Sequence, residues 1–300
     1  MNVLLVRTGG LGDTLLTMPV AGHIRNIYPD ADFHILGNPM MLSVAKLFDI
    51  FDSYNSIDDA GFHNLYSHSG ISDFIIDFFS QFNSVYFFTT ADSKVIENKL
   101  RIAGVENIRI FNPVPVNPPG CHFSQFLAGI IDDDSHLNFK INIPPIKNFK
   151  HKIDNQGKFV IHPGSGGLLK NWPLENFIQT ASQFKKNVTF VLGPAEKEKT
   201  IYKVLFKEGY HIEMPEDISE LCELLSDASI YLGNDSGVSH LTGFLDIPSI
   251  VLFGPSDPVL WKPLGNSTRT IISPDSTVRG IPVCHVIEMI RDILTIGKSC

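Results

Sequence analysis

Short apolar, β-branched runs alternate along this chain with longer stretches whose apolar residues recur every three or four positions. The first half predicts strands at Asn2–Val6, Phe33–Leu36, Ser84–Phe88 and Asn107–Ile110. Between them it predicts helices at Asp13–Tyr28, Pro39–Phe48, Ile71–Phe82 and Ser93–Ala103. The second half repeats the alternation, with strands at Lys158–Ile161, Val188–Leu192, Ile230–Leu232 and Ser249–Phe253. Its helices are expected at Pro173–Phe184, Pro194–Glu208, Ile218–Ala228 and Ser236–Leu245. Strand–helix alternation of this kind describes a parallel sheet covered on both faces. The two series meet at Asn138–Gly157, rich in Lys, Asn, Pro and Ile, where Pro144-Pro145 forbids helix. The expected class is therefore α/β, with domains over 1–150 and 151–282 and a linker between them. Two such domains facing one another would hold a ligand outside the carboxyl ends of their strands.

Composition narrows the function. Of the 300 residues 43% are hydrophobic and 19% charged, which excludes disordered, collagen-like and coiled-coil architectures. The net charge is −8, with −5 in residues 1–150 and −3 in the rest. Neither half carries the basic footprint of a nucleic-acid binder, and general attraction to anionic lipid is disfavoured. Cys121, Cys222, Cys284 and Cys300 are scattered without metal or redox spacing, which fits a reducing cytosol. The run Val3–Val6 is too short for a signal-peptide core, and Ile71–Phe79 falls short of a membrane span.

Four segments carry candidate chemistry. The first, GGLGDTLLTMP at Gly9–Pro19, follows the first strand, and its glycines let backbone approach a ligand. The dinucleotide pattern G-x-G-x-x-G fails there, because its third glycine would be Leu15, so hydride transfer is disfavoured. Asp13 stands at the expected helix start, either as an N-cap or as a working carboxylate. The second, HPGSGGLLKNWP at His162–Pro173, combines a small-residue loop (Gly164, Ser165, Gly166, Gly167) with Lys170. It is either an anion cradle or a flexible loop with a solvated lysine, and it lacks the P-loop spacing. The third, GNDSGVSHL at Gly233–Leu241, places Asp235 as N-cap and the N–H groups of Ser236, Gly237 and Val238 at a helix end that attracts phosphate. His240 shares a face with Ser236 and is either a core histidine or a second anion contact. The fourth, LFGPSDPVLWKP at Leu252–Pro263, predicts a turn and a short helix capped by Ser256 or Asp257. No histidine pattern for metal appears, no G-x-S-x-G elbow, and the Asp132–Asp134 run reads as a solvated loop.

Taken in order, these segments resemble glycosyltransferase family 9, the heptosyltransferases of lipopolysaccharide core assembly, over Asn2–Val20 and most of Gly157–Pro263. The resemblance implies two Rossmann-like domains facing across a cleft, the GT-B arrangement, with a final helix, Pro282–Ile296, that takes up most of the C-terminal segment 283–300 and returns to the first domain. It implies inverting, metal-independent transfer of heptose from ADP-heptose to a lipopolysaccharide-core or related glycan, with no cofactor and no resident metal. Residue by residue it makes Asp13 the catalytic base. It places Ser165, Gly166, Lys170, Asp235, Ser236, Gly237 and His240 at the donor diphosphate, and Glu213 and Met214 at the donor ribose and base. The implied partners are the nucleotide-sugar donor and a glycan or glycolipid acceptor, with no nucleic acid. The implied location is cytoplasmic, at the inner face of the cytoplasmic membrane, touched through the acceptor. The net −5 of residues 1–150 fits a less charged acceptor than a phosphorylated, carboxylate-bearing core. Two competing readings are a nucleotide-sugar epimerase or hydrolase on the same scaffold and a non-catalytic nucleotide-sugar-binding protein.

Overall fold

The computed structural model describes residues 1–59, 61–68, 70–115, 120–132, 140–151, 157–184, 187–193 and 200–296. Asp133, Asp134, Cys300 and the start of the helix expected from Pro194 lie outside the described residues. The chain divides into two compact units, Met1–Lys147 and Asn148–Cys300, a boundary within the segment read as a linker.

In the first unit, β1 (Asn2–Arg7), β2 (Asp32–Gly37), β3 (Ser53–Ser56), β4 (Ser84–Phe88) and β5 (Asn107–Phe111) form one parallel sheet. Its order is β3-β2-β1-β4-β5. The chain winds outward from β1 to β3, then crosses back to β4, so the winding reverses beside β1. That reversal is where open α/β sheets leave room for ligands at the carboxyl ends of their strands. Helices on both faces explain why Val3, Leu4, Leu5 and Val6 are all buried. Helix α1 (Leu11–Ile27) covers β1 and is tied to a helix over Phe123–Asp132 that the periodicity did not reveal. There the Ser124 hydroxyl donates to the Leu16 carbonyl at 2.7 Å, and His23 Nε2 lies 2.7 Å from Asp132 Oδ2. Leu4, Val6, Leu36, Phe79 and Phe87 share a core with Phe62, at the start of a 3₁₀ turn over Phe62–Tyr66.

The second unit holds β6 (Lys158–His162), β7 (Val188–Val191), β8 (His211–Glu213), β9 (Ala228–Asn234), β10 (Ser249–Phe253) and β11 (Thr268–Ile272). All pair in parallel, in the order β11-β10-β9-β6-β7-β8. Here the winding reverses between β6 and β9, so the loops that follow these two strands are neighbours. The final helix (Val283–Ile296), for which the resemblance implied packing on the first domain, buries Val286 and Ile290 in the core of the second unit, with Trp172 and Phe177. Among the described residues no helix is long and apolar enough to cross a membrane.

Candidate active site

The turn after β1 delivers Asp13. The helix begins at Leu11 with Gly10 as N-cap, so Asp13 is the third helical residue and not the cap itself. Its carboxylate reaches back instead: Oδ2 accepts the Gly10 N–H at 3.2 Å, satisfying one of the orphan donors of a helix start. Oδ1 lies 3.5 Å from Nη2 of Arg7, the last residue of β1. Glycine at position 9 is a packing requirement, since a Cβ there would stand 2.8 Å from the Asp13 Cβ. Arg7 is buried, and burial lowers its guanidinium pKa against the opposing pull of Asp13. Asp13 keeps 44% of its side chain exposed, so one carboxylate is both held in place and open to a ligand.

The second unit assembles its cluster from two adjacent strand ends. After β6 the loop closes on itself: the Ser165 hydroxyl lies 2.6 Å from Asn171 Oδ1 and 2.8 Å from the Gly167 carbonyl, and accepts the Gly167 N–H at 3.2 Å. Ser165 thus braces the loop. A Cβ on Gly166 would meet nothing within 4 Å, so backbone at that point faces open space. After β9 the cap of the next helix (Gly237–Phe244) is Ser236, one residue later than expected, because its Oγ accepts the Ser239 N–H at 3.4 Å. Asp235 is freed for another task. Its Oδ2 takes the Lys170 ammonium at 2.6 Å, and its Oδ1 lies 3.9 Å from His240 Nε2. Asp235 and His240 are each about 5% exposed, whereas Lys170 keeps 38%. The pairing therefore fixes an accessible cation beside a helix end whose first N–H groups have no intrahelical acceptor.

Several supporting residues were not singled out from the sequence. Asn234, fully buried at the end of β9, accepts the Trp172 N–H at 3.0 Å and donates to the Pro163 carbonyl at 2.9 Å. One amide thereby locks the β6 loop to the β9 turn. His162, at the end of β6, lies 3.4 Å from the Ser236 hydroxyl through Nδ1, and full burial lowers its pKa to about 4. Tyr231 sends its hydroxyl to within 3.0 Å of Ser239 Oγ, and burial raises its pKa. The ring passes over Gly233, where a Cβ would stand 2.2 Å from that hydroxyl oxygen. The shared signal is a polar residue ending an otherwise apolar buried strand: Arg7, His162 and Asn234 all fit it.

Glu213, the last residue of β8, and Met214 after it line a pocket of about 300 Å³ with Pro215, Glu220, Lys158 and Asp227. None of the diphosphate candidates lines it. Glu213 Oε1 is engaged with His211 Nε2 at 2.7 Å. The structure thus brings Ser165, Gly166 and Lys170 into one loop, joins Lys170 to Asp235 and His240, and keeps Glu213 and Met214 in a separate recess. Among the described residues, no three His, Cys, Asp or Glu side chains are grouped to hold a metal ion.

Residues 123–279, more than half of the chain, match the model of glycosyltransferase family 9 (heptosyltransferase). The chain belongs to this family. Lipooligosaccharide heptosyltransferase 2 of Campylobacter jejuni is 24% identical over 287 residues, covering 88% of this chain and 84% of that protein. Lipopolysaccharide heptosyltransferase 1 of Salmonella typhimurium is 33% identical over 126 residues, 41% of this chain and 40% of that one. The fold is that of a family 9 glycosyltransferase from Veillonella parvula, with a TM-score of 0.78 at 15% identity, over 98% of this chain and 97% of that one. The ADP-heptose heptosyltransferase II of E. coli aligns with a TM-score of 0.76, also at 15% identity, over 99% and 100%. The family 9 match contains every donor-side candidate and excludes the Asp13 turn.

Proposed function

We propose that this family 9 chain transfers heptose from ADP-heptose to a lipopolysaccharide-core or related glycan, with inversion and without a metal. The observation that carries the reading is the Lys170–Asp235 pair at the start of the Gly237–Phe244 helix. A diphosphate leaving group needs fixed positive charge where its negative charge grows, and a preorganised cation beside a helix end supplies it. Lys170 contacts the diphosphate directly, with the Gly166, Ser236 and Gly237 backbone and His240 around it. Asp235, an acceptor-only group, works through Lys170 by holding the ammonium in place. Ser165 shapes the loop, and Glu213 and Met214 take the nucleoside.

On the acceptor side, Asp13 removes the proton from the attacking hydroxyl. As that oxygen bonds to the anomeric carbon from the face opposite the diphosphate, the sugar–phosphate bond breaks and ADP departs. The product has the opposite anomeric configuration, and the proton rests on Asp13. Arg7 and the Gly10 N–H keep the carboxylate aimed while leaving it reachable. The relatives named as heptosyltransferases support the sugar, and those named as acting in lipopolysaccharide or lipooligosaccharide synthesis support the acceptor. A glycolipid acceptor would bring the enzyme to the inner face of the membrane.

The test is a transfer assay with ADP-heptose and truncated core oligosaccharides, in excess EDTA, with a donor-only control. Elongated product of inverted configuration at an undiminished rate is expected. ADP release from donor alone at the same rate would indicate a hydrolase, and loss of transfer restored by magnesium would refute metal independence.

A further inference from the structure

The first unit carries a recess at the same sheet edge as Asp13. An open pocket of about 390 Å³ lies past the carboxyl ends of β1 and β3, lined by Thr8, Ile57, Asp58, Asp59, His63 and Tyr66. Thr8 joins it to the base: it stands between Arg7, which pairs with Asp13, and Gly9, against which the Asp13 side chain lies. The walls are anchored. Ile57 donates its N–H to the Gly37 carbonyl at 2.9 Å, and the Asp58 N–H meets Ser56 Oγ at 3.2 Å. His63 and Tyr66 project from the 3₁₀ turn, which Phe62 roots edge-on among Phe74, Phe78 and Phe79. The buried ammonium of Lys99 clamps the same turn by donating to the Asn64 carbonyl.

The lining is selective in its chemistry. Asp58 and Asp59 are exposed, and among the described residues neither pairs with a cation. No Lys or Arg lines the pocket. Two acceptor-only carboxylates suit sugar hydroxyls, which are donors, and the 40% exposed Tyr66 offers its ring to the C–H face of a pyranose. The same carboxylates repel a carboxylate or phosphate brought beside them.

We propose that this pocket is the acceptor subsite and that Asp58 and Asp59 make it select a sugar free of anionic groups over one bearing carboxylate or phosphate beside the accepting hydroxyl. The inference rests on reading Asp13 as the base, since the accepting hydroxyl must lie next to the group that takes its proton. It sharpens the acceptor class: a less charged sugar than a phosphorylated core residue.

Saturation-transfer NMR on the full chain, without donor, tests it with glucose, glucosamine and glucose 6-phosphate at low ionic strength. The parent protein is expected to bind glucose and glucosamine and to hold glucose 6-phosphate at least about fivefold more weakly. The double variant Asp58→Asn/Asp59→Asn, with an unchanged melting temperature, should erase that difference, and Tyr66→Ala should weaken all three sugars alike. Equal binding of the phosphate by the parent protein, selectivity that survives the double variant, or no saturation transfer to any of the three sugars would each overturn the proposal. Because the measurement needs neither donor nor turnover, it separates the two readings. Failure to transfer heptose with this binding pattern intact removes the proposed activity alone.

Discussion

The turn after β1 and the turn after β9 stand at the same kind of place, the carboxyl end of a strand where the winding of the sheet reverses, and each opens a helix. They are built differently. The first holds Asp13 by a 3.2 Å backbone contact and a 3.5 Å approach to Arg7, with nearly half the side chain in solvent. The second is buried and closely bonded: Asn234 is fully enclosed, Asp235 is 5% exposed, and the Lys170 pair closes to 2.6 Å. The difference matches the two tasks proposed for them. A base must meet a hydroxyl and later release its proton to solvent, so access matters more than confinement. A charge-stabilising site gains by being fixed before the charge appears, because groups already in place need no reorganisation.

The largest effect that divides the two turns is expected at Asp13. In Asp13→Asn the amide oxygen still accepts the Gly10 N–H, so the melting temperature and ADP affinity should stay near normal. Loss of proton acceptance should lower turnover by ~10²–10⁴, about 3–5 kcal/mol of barrier. Initial rates with donor and acceptor decide it, and a variant within tenfold of the parent would return Asp13 to a helix-start role.

Burial beside the second turn has a pH signature at His162, the last residue of β6, whose Nδ1 lies 3.4 Å from the Ser236 hydroxyl. His162 has a folded pKa of about 4 against 6.5 for a free imidazole, so the unfolded chain binds the extra proton first as pH falls. The stability linked to His162 is full above pH 6.5 and is lost as pH falls toward 4, a difference of about 3 kcal/mol. Urea unfolding of the parent and of His162→Asn at pH 7 and pH 4.5 isolates this from the carboxylates. A parent that loses no more stability than the variant contradicts it.

The smallest of the three effects falls on Lys170. Removing its ammonium deletes one charge-assisted contact, ~1.5–3 kcal/mol, and leaves the Asp235 carboxylate facing the ligand. Lys170→Ala should weaken ADP strongly and adenosine little, and calorimetric titration of both ligands reads the ratio. Equal losses for the two would place Lys170 outside the diphosphate site.

Sequence pattern and structure agree best where strands are buried on both faces. β1, β4, β9 and β10 announce themselves as largely apolar runs, because positions between two layers of helix favour apolar side chains, and their polar residues stand mostly near the strand ends. The strands that went unseen, β3, β8 and β11, all lie at sheet edges. Their sequences SYNS, HIE and TRTII have half-exposed faces and read as loop. In the site, glycine-rich turns and a lysine were legible because backbone approach and charge leave a mark in composition. The role of Asp235 was not, since which carboxylate caps and which pairs depends on a contact 65 positions away along the chain. The same holds for Asn234, whose partners lie 62 and 71 residues distant.

The division of labour between the two turns is tested most directly by measuring turnover and ADP affinity together in Asp13→Asn and Lys170→Ala. The account predicts a crossover: the Asp13 variant loses at least about a hundredfold in turnover while binding ADP normally, and the Lys170 variant loses about tenfold or more in ADP affinity. If the Asp13 variant turns over normally, or if it loses ADP affinity as the Lys170 variant does, chemistry and donor holding are not separated in this way.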